Sequence, residues 1–353
     1  MREPDMNKVE ALTGQLVGEL GGALSGALIL LGDRLGLYRA MADGEPVTPQ
    51  ALAERSGCNE RYLREWLSAQ AAAGYLDYDA EAETFSLSPE AAVAFADESD
   101  PHFFAGAFEV VQSMWMDEPK IEEAFRTGAG VGWHEHSACL FRGTERFFRP
   151  GYNANLVSSW LPAIEGMMPR LERGARVADV GCGHGASTIL MAQAFPNSRF
   201  YGFDYHEPSV ERARQSAREA GVDDRVAFQK AAAKDFPAEG FDLVAMFDCL
   251  HDMGDPVGAG RHVRETLAKD GVWMIVEPYA NDALSDNLNP VGRIFYSAST
   301  MICTPASRSQ EVGLALGAQA GEARLKEVAE QAGFSRFRRA TETPFNLVFE
   351  ARP

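Results

Sequence analysis

The stretch RVADVGCGHGAS, residues 176–187, decides how the second half of the chain folds. RVADVG (176–181) is an apolar run that reads as a buried strand, and ASTILMAQAF (186–195) reads as a helix. Between them the chain must turn within a few residues. Gly181, Gly183 and Gly185 let the backbone turn tightly and approach a ligand closely. The helix that follows offers free N–H groups to a carboxylate or phosphate. Downstream, RFYGFD (199–204), RVAFQKA (225–231), FDLVAMF (241–247) and VWMIVE (272–277) read as four more strands. Helical patterns lie at 208–221, 258–267 and 323–333. Near-continuous Val, Ile, Phe and Met strands alternating with helices imply a parallel sheet covered on both faces, an α/β fold of Rossmann-like type. FSRFRRATET and PFNLVFEARP close the chain as two strands joined by a tight turn at Thr343–Pro344.

Upstream the texture changes. Thr48 can cap a helix with Pro49 at its first position, and Gly57 stops it. Asn59 can cap the next, whose apolar side includes Tyr62, Leu63, Trp66 and Leu67, with Gly74 as its stop. YLDYD and TFSLS then read as two short strands around an acidic turn. Helix, turn, helix and hairpin make a winged helix, so the N-terminal part is expected to be mainly α. Residues 26–95 carry 5 Arg and Lys against 11 Asp and Glu, a net of −6. A DNA reader needs a basic face, so dimerisation or packing is the expected role. The texture gives three parts: a winged-helix dimerisation domain over 1–100, a linker and substrate cap over 101–170, and the α/β domain over 171–353.

With 353 residues and 46% hydrophobic content, the chain has ample material for packed cores. A formal charge of −18 repels nucleic acid and anionic membrane. The apolar run ALILL near the N-terminus is too short to span a bilayer. Cys58, Cys139, Cys182, Cys249 and Cys303 are scattered, without a CxxC. A reducing cytoplasm is expected, with no membrane and no nucleic-acid partner.

Two cofactors compete for the glycine elbow. Gly181, Gly183 and Ala186 also satisfy the dinucleotide pattern. S-adenosylmethionine is favoured by Asp179, placed two residues before the first glycine, where it can meet the methionine ammonium. It is favoured too by the closing strand pair, which replaces a second mononucleotide half. Asp204 ends the second strand, where an acid suits a ribose diol. DVGCGHG, YGFDYH and FDCLHDMGDP together resemble the class I S-adenosylmethionine-dependent methyltransferases with an N-terminal winged helix, some of them labelled regulators. More distantly the chain is similar to plant and bacterial small-molecule O-methyltransferases. The resemblance implies a sheet order of 3-2-1-4-5-7-6 with strand 7 antiparallel, and a winged helix that mediates dimerisation. It implies that Gly181 and Gly183 cradle the methionine end and that Asp204 binds the ribose. Tyr205 then lies against adenine, and Ala233, Lys234, Asp235 and Phe236 lie at the adenine edge. Tyr152, Cys182 and Asp248 complete the implied cofactor set.

His251 and Asp252 follow the fourth strand of the sheet, facing the crevice where open α/β sheets bind ligands. Methyl transfer to a hydroxyl needs the acceptor's proton removed, and a histidine near pKa 6.5 can take it. LHDMGD matches the His-Asp-Trp motif of the plant-type enzymes except that Met253 stands for Trp. His251 is therefore the expected base, oriented by Asp252, by Glu277 or by Glu311. Phe104, Phe108, Trp115, Trp133, Tyr296, Met301 and Cys303 are expected to line an apolar acceptor pocket. His134 and His136 in WHEH stand at i, i+2, which does not place two metal ligands on one helical face, so no metal is expected. The expected activity is methyl transfer from S-adenosylmethionine to a small apolar or aromatic acceptor, O-methylation first, by a homodimer. The alternatives are N-, S- or C-methylation, or a ligand-responsive regulator that retains the fold.

Overall fold

Thr48 and Asn59 each begin a helix in the computed structural model, which describes residues 3–353. Thr48 Oγ1 accepts from the Ala51 amide at 3.2 Å and Asn59 Oδ1 from the Arg61 amide at 3.0 Å. The helices are Pro49–Ser56, ending at Gly57 with φ 70°, and Glu60–Ala72. Strands β1 (Asp77–Asp79) and β2 (Thr84–Ser86) pair antiparallel after them. Leu52, Leu63, Trp66, Leu67 and Phe85 form the core of this winged helix. Tyr62, expected on the apolar side, is 81% exposed. Its neighbours Leu63, Trp66 and Leu67 already fill the inward stripe.

This part belongs to one of two compact units, made of Met1–Gln112 and Arg142–Pro150. The unit opens with a helix, Met6–Arg34, which absorbs the ALILL run. By length and composition alone this helix is long and apolar enough to cross a membrane, where the sequence suggested too short a run. Leu12, Leu16, Val17, Leu20 and Leu24 are exposed on it. An ion cluster not legible in the sequence is buried in the same unit. Arg146 grips Asp33 through two nitrogens, at 2.7 and 2.9 Å, and bonds Glu98 at 2.8 Å and Glu109 at 2.9 Å.

The second unit is Ser113–Phe141 with Gly151–Pro353. It is built on seven strands: β3 (Arg176–Val180), β4 (Arg199–Asp204), β5 (Val226–Lys230), β6 (Phe241–Phe247), β7 (Leu267–Pro278), β8 (Arg336–Glu342) and β9 (Asn346–Arg352). Their order is β5-β4-β3-β6-β7-β9-β8. Counted within the sheet this is 3-2-1-4-5-7-6, with the last strand in sequence antiparallel to both neighbours. The Rossmann-like class I order implied by the resemblance is thus present. Phe203, Phe236, Phe241, Val244, Trp273 and Phe349 lie in the core of the sheet and its helices. The helix after β6 starts at Pro256, two residues before the sequence suggested, because Asp255 caps it by accepting from the Gly258 amide at 2.8 Å. The strand order reverses between β3 and β6. That switch point opens a crevice beyond the strands' carboxyl ends and brings the glycine elbow beside the turn after β6.

Candidate active site

The elbow's glycines are needed for two different reasons. All three have positive φ: 79° at Gly181, 52° at Gly183 and 82° at Gly185. A Cβ on Gly181 would stand 2.7 Å from Cys249 Sγ, and one on Gly185 would stand 2.5 Å from the Phe228 ring. Nothing lies within 4 Å of the same position on Gly183. The outer two are held by packing, and Gly183 borders free space.

Asp179 ends its strand almost fully buried. Its Oδ2 accepts from Ser187 Oγ and Thr188 Oγ1, both at 2.6 Å. Its Oδ1 is buried with no partner. Burial pushes this carboxyl up to about 6 against the pull of the two hydroxyls. A buried carboxylate oxygen left unpaired is costly, and a cation set against it removes the cost. Asp204 faces the elbow from β4, accepting from the Gly183 and His206 amides, each at 2.9 Å. Burial raises its pKa too.

The turn after β6 carries the second cluster. Asp248 sits at φ 51°, rare for a non-glycine residue. Its carboxyl accepts from Tyr152 OH at 3.1 Å and Asn346 Nδ2 at 2.8 Å, and burial raises it well above the usual range. His251 is buried. Its Nδ1 pairs with Glu277 Oε2, while Glu277 Oε1 accepts from the Leu250 amide at 3.0 Å. Its Nε2 faces Asp252 Oδ1 at 3.3 Å, and Cys303 stands beside both. Burial alone would lower the His251 pKa, but the charges of Glu277 and Asp252 outweigh it and hold it well above 6.5.

Of the three acids offered as orienting groups, Glu277 holds Nδ1 and Asp252 faces Nε2. Glu311 is elsewhere: its side chain is 82% exposed and paired with Lys234 at 2.9 Å. Lys234 is drawn to Glu311 and Asp255, and Asp235 Oδ1 accepts from the Ala232 amide at 2.8 Å. Phe236 stacks on Phe203 with 5.0 Å between ring centres, which makes it core, and Ala233 packs against the same core. Cys182 is buried in the elbow, and the exposed ring of Tyr205 meets His134 edge-on at 6.1 Å.

The acceptor candidates divide. Cys303 is buried, while Trp133, Tyr296 and Met301 are half-buried. Trp115 is 69% exposed. Phe104 and Phe108 belong to the first unit, where Phe104 meets Phe147 edge-on and Phe108 covers Gly26. One pair escaped the sequence reading. His136, with a side chain only 1% exposed, turns Nδ1 to Asp117 Oδ2 at 3.2 Å and leaves Nε2 without a partner. Asp117 also accepts from the Ser137 amide, Ser137 Oγ and Lys120 Nζ, each at 2.8 Å. Burial would raise Asp117, but these bonds prevail and hold it at about 2. Burial also lowers the His136 pKa. Asp117 lies in MWMDEPK, a stretch with the texture of an exposed helix face, and gave no signal in the sequence.

A Rossmann-like sheet closed by an antiparallel seventh strand, with an acid-flanked glycine elbow, defines the class I methyltransferase fold. Residues 171–333 match the methyltransferase domain family, and residues 23–96 match the Rv2258c-like winged HTH domain. The chain carries both matches: a methyltransferase domain with the class I fold, preceded by a winged helix. It is 31% identical over 169 residues to 27-O-demethylrifamycin SV methyltransferase of Amycolatopsis mediterranei, covering 46% of this chain and 57% of that protein. Among solved structures, human N-acetylserotonin methyltransferase in complex with S-adenosylmethionine superposes with a TM-score of 0.72 at 16% identity, covering 99% of this chain and 98% of the other. An O-methyltransferase family protein from Burkholderia thailandensis superposes with a TM-score of 0.69 at 16% identity, covering 99% of each chain. The residues present fit S-adenosylmethionine. The orphaned Asp179 Oδ1 suits its ammonium, and the space over Gly183 leaves room for it.

Proposed function

We propose that this chain transfers the methyl group of S-adenosylmethionine to a hydroxyl of a small apolar or aromatic acceptor, with His251 taking the acceptor's proton. When bound, the cofactor supplies an electrophilic methyl on a sulfonium. Asp179 Oδ1 holds the ammonium, and Gly181 and Gly183 let the backbone approach the methionine end. Asp204 meets the ribose. Tyr205 lies over adenine. Tyr152, Cys182 and Asp248 shape the wall behind the sulfonium. Transfer then needs chiefly alignment, with the acceptor oxygen about 3 Å from the methyl carbon.

The observation that carries the reading is the clamp on His251. Glu277 fixes the ring through Nδ1, which leaves Nε2 as the atom that meets the acceptor's proton. The neighbouring carboxylates stabilise the imidazolium that forms and raise the ring's pKa, so the neutral ring that can take a proton gains population as pH rises, and turnover should rise with it. Trp133, Tyr296, Met301 and Cys303 are the acceptor's wall. We place the protein in the cytoplasm as a homodimer joined through the winged-helix unit, whose acidic surface supports protein contact over DNA contact.

The test is to offer hydroxylated and amino aromatics with labelled S-adenosylmethionine and locate the modified atom by mass spectrometry. His251→Ala should lower turnover about 10²-fold or more while S-adenosylhomocysteine binds as before. Unchanged turnover would reject the base role.

A further inference from the structure

Three donor atoms of different chemistry meet beside the His251 ring. A ring nitrogen of His251, an Asp252 carboxylate oxygen and Cys303 Sγ all lie within 4.8 Å of one another, and Nε2 is the nitrogen facing Asp252, at 3.3 Å. His251 and Cys303 are buried, and Asp252 Oδ1 is itself shielded from solvent with no well-directed hydrogen bond. Behind the ring, Glu277 fixes Nδ1 and is fixed in turn by the Leu250 amide. A carboxylate on the far nitrogen sets the ring's orientation and tautomer, the arrangement that supports histidines ligating metals. Asp252 and Glu277 set two carboxyl groups against one imidazole, one on each ring nitrogen. His136 repeats the pattern, with Asp117 on Nδ1 and a buried, unpartnered Nε2, and it stands within electrostatic reach of Asp252.

The donor set selects the ion. Magnesium and calcium want oxygen ligands throughout, whereas one nitrogen, one oxygen and one sulfur suit zinc or cobalt(II). Three protein ligands leave a fourth position open. We propose that His251, Asp252 and Cys303 form a binding site for a zinc-like divalent cation. The cation replaces the thiol's proton and the proton on His251 Nε2 wherever the ring is charged, so loading releases both to solvent. The existence of the site stands apart from the base role of His251, and its consequence rests on that role. A cation on Nε2 occupies the lone pair that proton transfer needs, so zinc stops methyl transfer and a chelator restores it.

The experiment is to titrate the full chain, stripped of metal and kept reduced, with cobalt(II) chloride. The expected result is a set of tetrahedral visible bands with a thiolate-to-cobalt absorption, saturating at one cobalt per chain and bleached by zinc. Cys303→Ser should abolish the thiolate absorption, and Asp252→Asn should keep it while weakening affinity by about tenfold or more. Thermal melting of the metal-free variants establishes that each is folded. No thiolate absorption in the unaltered chain, or its survival in Cys303→Ser, overturns the site. A site loaded with zinc that still transfers methyl would uphold the site and overturn the base role of His251. Loss of the absorption with His251-dependent turnover intact would overturn the site alone.

Discussion

If Asp179 holds the cofactor's ammonium, cofactor binding depends on pH. Its carboxyl is raised from 3.8 to about 6 by burial. A raised acid reverses the usual sign. Between those two values the folded chain holds the proton while the unfolded chain has lost it, so stability falls as pH rises through that window. Above about 6 the charge is buried in full, and the shift corresponds to about 3 kcal/mol at 1.36 kcal/mol per unit. The unpaired Oδ1 is where that cost resides, and an ammonium placed there recovers part of it. If only the ionised form grips the ammonium, the competent fraction grows from about 0.1 at pH 5 to about 0.9 at pH 7, for a group near 6. S-adenosylhomocysteine should therefore bind roughly tenfold tighter at pH 7 than at pH 5 by calorimetry. Asp179→Asn should flatten that dependence and weaken binding, yet leave the ligand-free chain as stable as before or more so at pH 7. Asparagine can still accept from Ser187 and Thr188 without burying a charge. An affinity independent of pH in the unaltered chain, or an asparagine variant that binds normally, would refute the assignment of Oδ1 to the ammonium.

The other outcomes follow from packing and charge. Gly181→Ala should destabilise the fold, because its Cβ would press on Cys249 Sγ at 2.7 Å. Gly183→Ala has open space around it, so its main effect should be on S-adenosylhomocysteine affinity, beside a backbone strain of about 1–2 kcal/mol at positive φ. A calorimetric titration and a denaturant curve on both variants separate the two effects. Arg146→Ala removes the cation shared by Asp33 and Glu109, which keep Arg39 at 3.8 Å and Arg142 at 2.5 Å, and should cost about 1–3 kcal/mol in denaturant unfolding. Arg146→Lys should recover little, because a point charge cannot reproduce the two-nitrogen grip on Asp33.

The sheet was legible because each strand is a near-continuous apolar run, and its elbow because glycines at 181, 183 and 185 have few other uses between a strand and a helix. Helix starts were legible where a cap preceded proline, as at Thr48, and missed by two residues at Asp255, whose role depends on the turn that delivers it. Side-chain partners were legible only where the backbone fixes them. Glu277 could be named beforehand because β6 and β7 are neighbours, which sets the end of one beside the turn after the other. Glu311 lies outside, paired with Lys234, because nothing local constrains the segment that carries it. Phe236 shows the opposite limit: loop position suggested a ligand contact, and burial against Phe203 decided otherwise.

The contacts that sequence could not supply share a physical cause. Asp117 with His136, and Cys303 with His251, pair polar side chains from segments outside the sheet. No ladder fixes those segments' register, and no periodicity marks a buried carboxylate on a helix that is otherwise charged. Their cost in the fold is nevertheless the largest kind, because a buried polar atom without a partner gives up its hydration for nothing. Three buried atoms of the second unit without a directed hydrogen bond lie in the candidate site, beside others at Trp160, Trp273 and Gln319: Asp179 Oδ1 at the elbow, Asp252 Oδ1 facing His251, and His136 Nε2 within reach of its charge. The proposed cofactor ammonium would take the first. The other two stand with a thiol and an imidazole whose far nitrogen is already taken, and a proton donor on the acceptor or a divalent cation would satisfy them. Both occupants need the same Nε2 lone pair, so the cobalt titration decides the occupancy of the donor cluster and, through zinc inhibition, whether that lone pair serves methyl transfer.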